Sequence, residues 1–245
     1  MASSPATLRI VHAEDIAPST RVITIERADG AHFGAFGGKY IIVNTGVPLP
    51  EGKVAKRAYS LMADRGAPGR AQIVVKRLPR GPGSSALHAA EPGTELSFSG
   101  PWGKLVPERG LEGTTLFLAT DTGITAALGV VEQARGSAAG AELEVLWLSA
   151  PDETFLGIAH ARSRIEAAGA RLVVAAIPPV DAEARAPLAW AHLEARIRER
   201  SPTVLLAAGD GAIVHPLLKR SLPGRAGVQE VRIECFFHNP ERKVS

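Results

Sequence analysis

The sequence predicts two domains, a small antiparallel β-barrel followed by a doubly wound α/β domain. The first observation is the length: 245 residues lie between one and two domains at roughly 150 residues each. The second is that short strands and turns fill the first half of the chain. The third is that strands and helices alternate in the second half. We expect the domains to span residues 1–108 and 109–245.

Short strands separated by turns dominate the first half. β-Branched and aromatic residues cluster in stretches bounded by Gly, Pro and Asn, as in strands of a small β domain. The predicted strands are 7–12, 21–26, 39–43, 57–62, 71–77 and 95–99. Because little helix separates them, they predict an antiparallel barrel.

After about Pro107 apolar strands alternate with longer Ala-rich stretches of helical period. The predicted strands are 115–119, 142–148, 171–177, 204–208 and 230–236, and the predicted helices lie near 125–134, 155–167, 188–198 and 212–221. Strands that alternate with helices pair in parallel through right-handed crossovers. The second half therefore predicts a doubly wound parallel sheet.

Composition excludes several classes of protein. The 28 basic and 25 acidic residues leave a formal charge of +3, too small a surplus for a dedicated nucleic-acid-binding protein. No apolar run approaches the roughly 20 residues of a membrane-spanning helix. The first ten residues lack the features of a secretory signal, so we expect a cytoplasmic protein.

Cysteine and histidine usage bears on redox and metal chemistry. The single cysteine, Cys235, cannot form an intrachain disulfide, and an iron–sulfur cluster of the common types needs about four thiolates. The seven histidines show no close metal-ligand pairing, so no metal site is expected. Any cluster that works with this chain must therefore belong to a partner.

Three segments combine residue types that suit a phosphorylated aromatic ligand. Arg57, Tyr59 and Ser60 lie on one short strand, where a guanidinium suits a phosphate, a phenol ring suits an aromatic face and a hydroxyl suits a polar ring edge. The segment 81–88, G-P-G-S-S-A-L-H, opens a short helix and offers amides to an anion. The alternatives are an ordinary decorated strand and a plain loop with a serine cap.

The third segment, 119–127, joins the first strand of the second domain to its first helix, where dinucleotide phosphates meet helix amides. It reads A-T-D-T-G-I-T-A-A and holds one glycine, fewer than the G-x-G-x-x-G fingerprint. An ordinary Rossmann fingerprint is thus absent, although the position suits a nucleotide.

The order of these motifs is more specific than any one of them. R-A-Y-S, V-K-R, G-P-G-S-S-A-L-H, G-P-W-G, T-G-I-T and E-C-F-F follow one another along residues 8–239. This succession resembles the ferredoxin–NADP reductase superfamily, especially oxygenase-type reductase modules without an iron–sulfur domain. The resemblance implies an N-terminal flavin-binding barrel and a C-terminal NAD(P)-binding α/β domain.

The resemblance also implies roles for individual residues. Residues near the site of hydride transfer are Tyr59, Ser60, Glu234 and Phe236. Residues that match flavin-binding positions are Arg57, Tyr59, Ser60, Val75, Arg77, Gly83, Ser84, Ser85 and, from the second domain, Thr125. Residues that match positions around the nicotinamide nucleotide are Thr122, Gly123, Gly209 and Asp210. The expected cofactors are FAD rather than FMN, with NADH or NADPH as co-substrate.

The second domain departs from the family pattern at several positions: the segment 119–126 lacks two glycines and a proline that relatives often carry. Asp121 stands where relatives carry a glycine, and a carboxylate there would repel a diphosphate unless it caps the following helix. Ala208 stands where relatives frequently carry a cysteine. Asp152, after the second strand of the sheet, suits a ribose hydroxyl better than a 2′-phosphate and leans the prediction towards NAD. Arg162 and Arg164 could reverse that preference.

The implied function is that of a flavin-dependent NAD(P)H oxidoreductase. Hydride would pass from nicotinamide to FAD, and electrons would leave to a separate ferredoxin, Rieske-type protein, haem protein or small-molecule acceptor. The alternative is a non-catalytic subunit, with or without flavin, that acts by binding a redox partner. Reduction of the flavin by NADH or NADPH discriminates between the two.

Overall fold

A computed structural model of the protein describes residues 6–34, 37–64, 66–67, 69–107, 110–135, 142–151, 155–219 and 227–238. The chain divides into two compact units, residues 1–103 and 104–245. The boundary expected between residues 108 and 109 falls on residues outside the described ranges. Each unit is described by itself.

The first unit contains a seven-stranded sheet in which neighbouring strands are antiparallel. Its strands are β1 (Ala6–Ala17), β2 (Thr20–Arg27), β3 (Tyr40–Pro48), β4 (Val54–Ser60), β5 (Met62–Ala63), β6 (Ala71–Lys76) and β7 (Glu95–Trp102). Across the sheet the order is β4-β3-β7-β1-β2-β6-β5. The edge strands β4 and β5 are separated in the chain by Leu61 alone, so the sheet curls towards a barrel. Among the described residues no ladder closes it, and the predicted antiparallel barrel is confirmed in this open form.

Alternating apolar residues build the core of the first unit. Leu8 and Ile10 of β1 and Ile23 and Ile25 of β2 are almost completely buried, as expected of side chains that point to one face of a strand. The helix α1 (Pro82–Ala89) adds Leu87 to the same cluster. This packing fixes the N-terminus of α1 next to the inner strands.

The second unit contains a parallel five-stranded sheet within the described residues. Its strands are β8 (Thr114–Thr120), β9 (Glu142–Ser149), β10 (Arg171–Ala176), β11 (Val204–Asp210) and β12 (Glu230–Phe237), in the order β10-β9-β8-β11-β12. Four helices connect them: α2 (Ile124–Ala134), α3 (Ile158–Ala167), α4 (Arg185–Arg200) and α5 (Gly211–Val214). The strand order reverses between β8 and β11, which is where such sheets bind ligands at their carboxyl edge.

Two helical layers enclose this sheet. Leu116 and Leu118 of β8 pack in a cluster with Leu193 of α4 and Ile213 of α5. Phe117 lies between the two leucines and is fully buried, so it faces the opposite side of the sheet. The helices α2 and α3 contact one another. The predicted doubly wound architecture is confirmed.

Several element boundaries differ from prediction, and three of these differences have a local cause. Strand 57–62 is interrupted at Leu61, whose amide donates to the carbonyl of Lys39 over 2.9 Å. The helix expected from residue 155 starts at Ile158, after the buried Phe155. The last predicted helix, 212–221, is an α-helix only to Val214 and continues as a 3₁₀ turn, because Pro216 cannot donate an amide hydrogen. Its residues 220 and 221 lie outside the described ranges.

Within the described residues no helix is long and apolar enough to span a membrane.

Candidate functional site

A candidate anion-binding cradle lies where β4 meets the N-terminus of α1. Arg57 is exposed on β4, and Gly83 is buried in the first turn of α1. A Cβ atom built on Gly83 would lie 3.4 Å from Cγ of Arg57 and 3.4 Å from side-chain carbons of Ala55 and Thr45. The Arg57 stem therefore passes the first turn of the helix at van der Waals distance. An arginine next to helix amides suits a phosphate.

The hydroxyl of Ser84, in the first turn of α1, stabilises the loop that precedes this helix. Ser84 Oγ accepts from the amide of Leu78 over 3.1 Å and donates to the carbonyl of Gly81 over 3.0 Å. No side chain caps this helix at Gly81. Ser84 is buried, whereas Ser85 is exposed. The Ser84 hydroxyl thus shapes the loop, and its backbone amide and the Ser85 hydroxyl are the groups that can meet a ligand.

Tyr59 and Ser60 close β4 beyond this cradle. In the β3–β4 register Tyr59 pairs with Ile41 and Ser60 with Tyr40. Tyr59 is half-buried against the core, and burial raises the pKa of its phenol to about 12, with Arg57 acting in the opposite direction. Ser60 is 6% exposed. A neutral phenol ring next to a small hydroxyl is the arrangement that a stacked aromatic ligand with a polar edge requires.

The two other predicted flavin-binding residues of this unit occupy different environments. Val75 is fully buried in the core cluster, and its carbonyl lies 3.0 Å from Nε2 of His88. Arg77 is exposed, and its amide donates to the carbonyl of Ser19 over 2.7 Å. Val75 therefore offers no side chain to a ligand, while the Arg77 side chain is accessible.

In the second unit two loops interlock at the carboxyl edge of the sheet. A Cβ atom on Gly123 would lie 2.1 Å from the carbonyl oxygen of Ala208, and one on Gly209 would lie 2.4 Å from that of Thr120. Gly209 also has φ of 129°, which L side chains rarely adopt. The loops that follow β8 and β11 can approach this closely only because both residues are glycine. The structure thus brings Gly123 and Gly209 together.

Threonines complete the first of these loops. Thr122 is partly exposed, whereas Thr125 is buried and its hydroxyl donates to the carbonyl of Thr122 over 2.9 Å. The hydroxyl of Thr120 accepts from the amide of Asp210 over 2.7 Å, which joins the β8 loop to the β11 loop.

Asp121 pairs with an arginine. It has φ of 49° and is 6% exposed, and its carboxylate accepts from Nη2 of Arg185. A guanidinium thus offsets the charge of this carboxylate. Asp210 is fully buried and accepts from Arg185, from the amide of Ala212 at the start of α5 and from His238.

Glu234 and Phe236 lie two residues apart on β12 and are partly buried. Glu234 pairs with Ala208 of β11 in the parallel register. Burial raises the pKa of the Glu234 carboxyl to about 7. A carboxyl group with a pKa close to neutrality can hold or release a proton under ordinary conditions.

Sequence reasoning missed Arg185. Arg185 and Asp121 are 64 residues apart, so no local pattern connects them. The signal that was available is the carboxylate itself, because a buried Asp at a loop of this kind requires a cation. Asp152, on which the NAD preference rested, lies outside the described residues.

Comparison with known proteins supports the prediction for the first unit. Residues 7–106 match the family model of the oxidoreductase FAD-binding domain. Tyr59, Arg57 and the α1 loop all lie within this range. The predicted FAD-binding domain is confirmed.

Two relatives cover parts of the chain. The ferredoxin–NADP reductase B of Sorangium cellulosum is 35% identical over 145 residues, which are 59% of this chain and 58% of the relative. The NADH-cytochrome b5 reductase 2 of Aspergillus clavatus is 30% identical over 118 residues, 48% of this chain and 36% of the relative. The chain thus spans only part of each relative's length.

Solved structures with the same fold cover nearly the whole chain. A phthalate dioxygenase reductase aligns over 94% of this chain and 67% of its own, with 22% identity and a TM-score of 0.67. An Amycolatopsis cytochrome P450 reductase aligns over 95% and 70%, with 18% identity and a TM-score of 0.70. A siderophore-interacting protein from Aeromonas hydrophila aligns over 95% and 97%, with 19% identity and a TM-score of 0.64. Residues 7–106 thus match the FAD-binding domain, and the solved structures share the fold of this chain.

Proposed function

We propose that the protein is a flavin-dependent NAD(P)H oxidoreductase. Its first unit binds FAD, and its second unit binds NADH or NADPH. Hydride passes from the nicotinamide to the flavin, and electrons then leave to a separate acceptor. The observation that carries the proposal is the Arg57 cradle at the uncapped start of α1, inside the FAD-binding domain.

The cradle fits the diphosphate of FAD. The exposed Arg57 guanidinium supplies charge, and the first-turn amides around Gly83 and Ser84 supply directed donors. Ser85 and Arg77 are exposed and can extend the polar surface.

The chemistry divides between the cofactors and the chain. When bound, FAD supplies a two-electron hydride acceptor that can release its electrons one at a time. We assign Tyr59 to stack against the flavin ring and Ser60 to donate a hydrogen bond at its N5 edge. Glu234, whose pKa is raised to about 7, can hold the proton that accompanies the transferred electrons. Phe236 contributes an apolar surface that excludes water.

The carboxyl edge of the second sheet supports nucleotide binding. Thr122 and Gly123 follow β8, and Gly209 lies at the end of β11, on the two sides of the point where the strand order reverses. The backbone-to-backbone contact between these loops leaves amides near the start of α2 for a diphosphate. Flavin reduction by each nucleotide in turn decides between NADH and NADPH.

A separate electron acceptor is part of the proposal. Because the chain holds one cysteine, a four-thiolate cluster cannot be assembled from its residues alone. We expect a ferredoxin, a Rieske-type protein, a haem protein or a small molecule to take the electrons. The relatives named for ferredoxin and cytochrome b5 support an acceptor of the protein class.

The test is anaerobic mixing of the FAD-loaded protein with NADH or NADPH in a stopped-flow spectrometer. The proposal predicts that the visible flavin absorbance bleaches with one nucleotide or both. A yellow protein that neither nucleotide reduces would favour a non-catalytic flavoprotein subunit. A colourless protein that cannot be reconstituted with FAD or FMN would exclude the enzyme.

A further inference from the structure

One buried arginine joins three loops of the second unit. Arg185 begins α4 and is 2% exposed. Its Nη2 donates to Asp121, its Nε donates to Asp210 over 3.1 Å, and its Nη1 donates to the carbonyl of Pro178 over 2.6 Å. Each nitrogen of the guanidinium therefore holds a different loop. We call Asp121, Arg185 and Asp210 the Arg185 cluster.

These loops lie at the edge of the sheet where the nucleotide is expected. Asp121 follows β8, Pro178 follows β10, and Asp210 ends β11. The fourth strand also reaches the cluster, because Trp147 of β9 donates its indole hydrogen to the carbonyl of Asp121 over 3.0 Å. The carboxyl ends of four parallel strands are thus connected around one side chain.

Arg185 is not placed to bind phosphate itself. It is almost fully buried, and its three nitrogens are engaged by protein acceptors. The cluster holds two carboxylates and one guanidinium, and His238 lies 3.1 Å from the Asp210 carboxylate. Because the two carboxylates outnumber the one guanidinium, the cluster has no net positive charge that would attract an anion.

Positioning explains the cluster better than stability alone. Buried ion pairs gain little over apolar packing, because desolvation offsets their attraction. A planar guanidinium, in contrast, fixes the angles between its partners. Here it fixes Asp121, whose φ of 49° is uncommon outside glycine, one residue before Thr122 and two before Gly123. It also fixes Asp210, next to Gly209.

We propose that Arg185 is a positioning residue for the pyridine nucleotide. It neutralises Asp121, the carboxylate that would otherwise repel the diphosphate, and it holds the β8 and β11 loops in the geometry that binds the nucleotide. This inference rests on the proposed function and adds a residue from α4 to it. The first unit and its FAD take no part in it.

The test compares Arg185→Met and Arg185→Lys with wild type and with Arg196→Met. Arg196 is a matched control, because it is also an arginine of α4 and forms a 2.6 Å ion pair with the buried Glu144 of β9. Glu144 lies near the start of β9, at the opposite end of that strand from the carboxyl edge. The readouts are FAD content, melting temperature, the apparent Kd of the nucleotide and the limiting rate of flavin reduction.

We expect both Arg185 variants to raise the apparent Kd roughly tenfold or more while FAD content stays as in wild type. Lysine keeps the charge but cannot reach three acceptors at fixed angles, so it should not restore affinity. Arg196→Met should lower the melting temperature without changing the Kd. Wild-type affinity in a folded Arg185→Met protein would overturn the inference, as would an equal rise in Kd for Arg196→Met.

A second variant keeps the test decisive if Arg185→Met does not fold. Asp121→Asn leaves Arg185 bound to Asp210 and Pro178 and weakens the tie to the β8 loop. Because Arg185 already neutralises the Asp121 carboxylate, loss of that charge should change the Kd little by itself. We expect the Kd to rise roughly threefold or more, since the charge-assisted bond that holds the loop becomes a neutral one. An unchanged or lower Kd would overturn the inference. If wild type itself is not reduced by either nucleotide, the proposed function fails, and this is distinct from failure of the positioning role.

Discussion

Glycines at the carboxyl edge of the second sheet show how single residues decide the site. A Cβ atom on Gly123 would lie 2.1 Å from the Ala208 carbonyl, a distance that requires the backbone to move. We expect Gly123→Ala to lower the free energy of unfolding by roughly 2 kcal/mol or more. Gly157→Ala is the control, because nothing lies within 4 Å of its Cβ position. Chemical denaturation checks this, and equal stabilities would show that the loops are not tightly packed.

Arg57 is the residue on which flavin affinity depends most directly. We expect Arg57→Ala to weaken FAD binding by roughly tenfold to a hundredfold, because a charge-assisted phosphate contact contributes about 1.5–3 kcal/mol. Lys56→Ala removes the same charge from the neighbouring, exposed position on β4, which alternation places on the other face of the strand. The FAD affinity of the Lys56→Ala protein should stay within about twofold of the wild-type affinity. Equal effects from both would indicate only a general charge contribution.

Glu234 makes stability depend on pH in a defined direction. Burial raises the pKa of its carboxyl from 4.5 to about 7, so between these values the folded state binds more protons than the unfolded state. Its contribution to stability is therefore present below about pH 4.5 and is lost as the pH rises through about 7. The slope cannot exceed about 1.4 kcal/mol per pH unit for one proton. Compared with Glu234→Gln, wild type should lose stability from pH 5 to 8, and a constant difference would contradict this assignment.

At the scale of elements, a buried ion pair joins β9 to α4. Glu144 is 1% exposed and accepts from Arg196 through both carboxylate oxygens at 2.6 and 2.7 Å. We expect Arg196→Met to cost about 3 kcal/mol, because it leaves a buried carboxylate without its main partner. Arg162→Met, which removes an exposed pair with Glu166 on α3, should cost less than about 1 kcal/mol. Thermal unfolding checks both, and similar costs would contradict the account.

Element identity was predictable where local periodicity and core packing agree. Every strand of the two described sheets except β5 was predicted, as were the helices α2, α3 and α4, because apolar residues repeat at a period of two or 3.6. Boundaries failed where one residue acts: Pro216 ends α5 as an α-helix, and Leu61 interrupts a predicted strand. Such local interruptions depend on three-dimensional contacts, which the spacing of apolar residues does not reveal.

At the scale of the whole molecule, the candidate site separates into local and distant parts. Arg57, Tyr59 and Ser60 lie on one strand, and Gly83 to Ser85 lie in the first turn of α1, so motifs identified them together. The contact between Arg185 and Asp121 spans 64 residues and brings together elements that only the folded sheet makes adjacent. The burial of Val75, which withdraws its side chain from any ligand, likewise follows from three-dimensional packing.

The measurement that tests the central claim most directly is a crystal structure of the protein with FAD bound. The account predicts the isoalloxazine ring against Tyr59, its N5 edge within hydrogen-bond distance of Ser60, and the diphosphate between the Arg57 guanidinium and the start of α1. A flavin bound elsewhere on the chain, with Tyr59 and Arg57 both remote from it, would contradict the account.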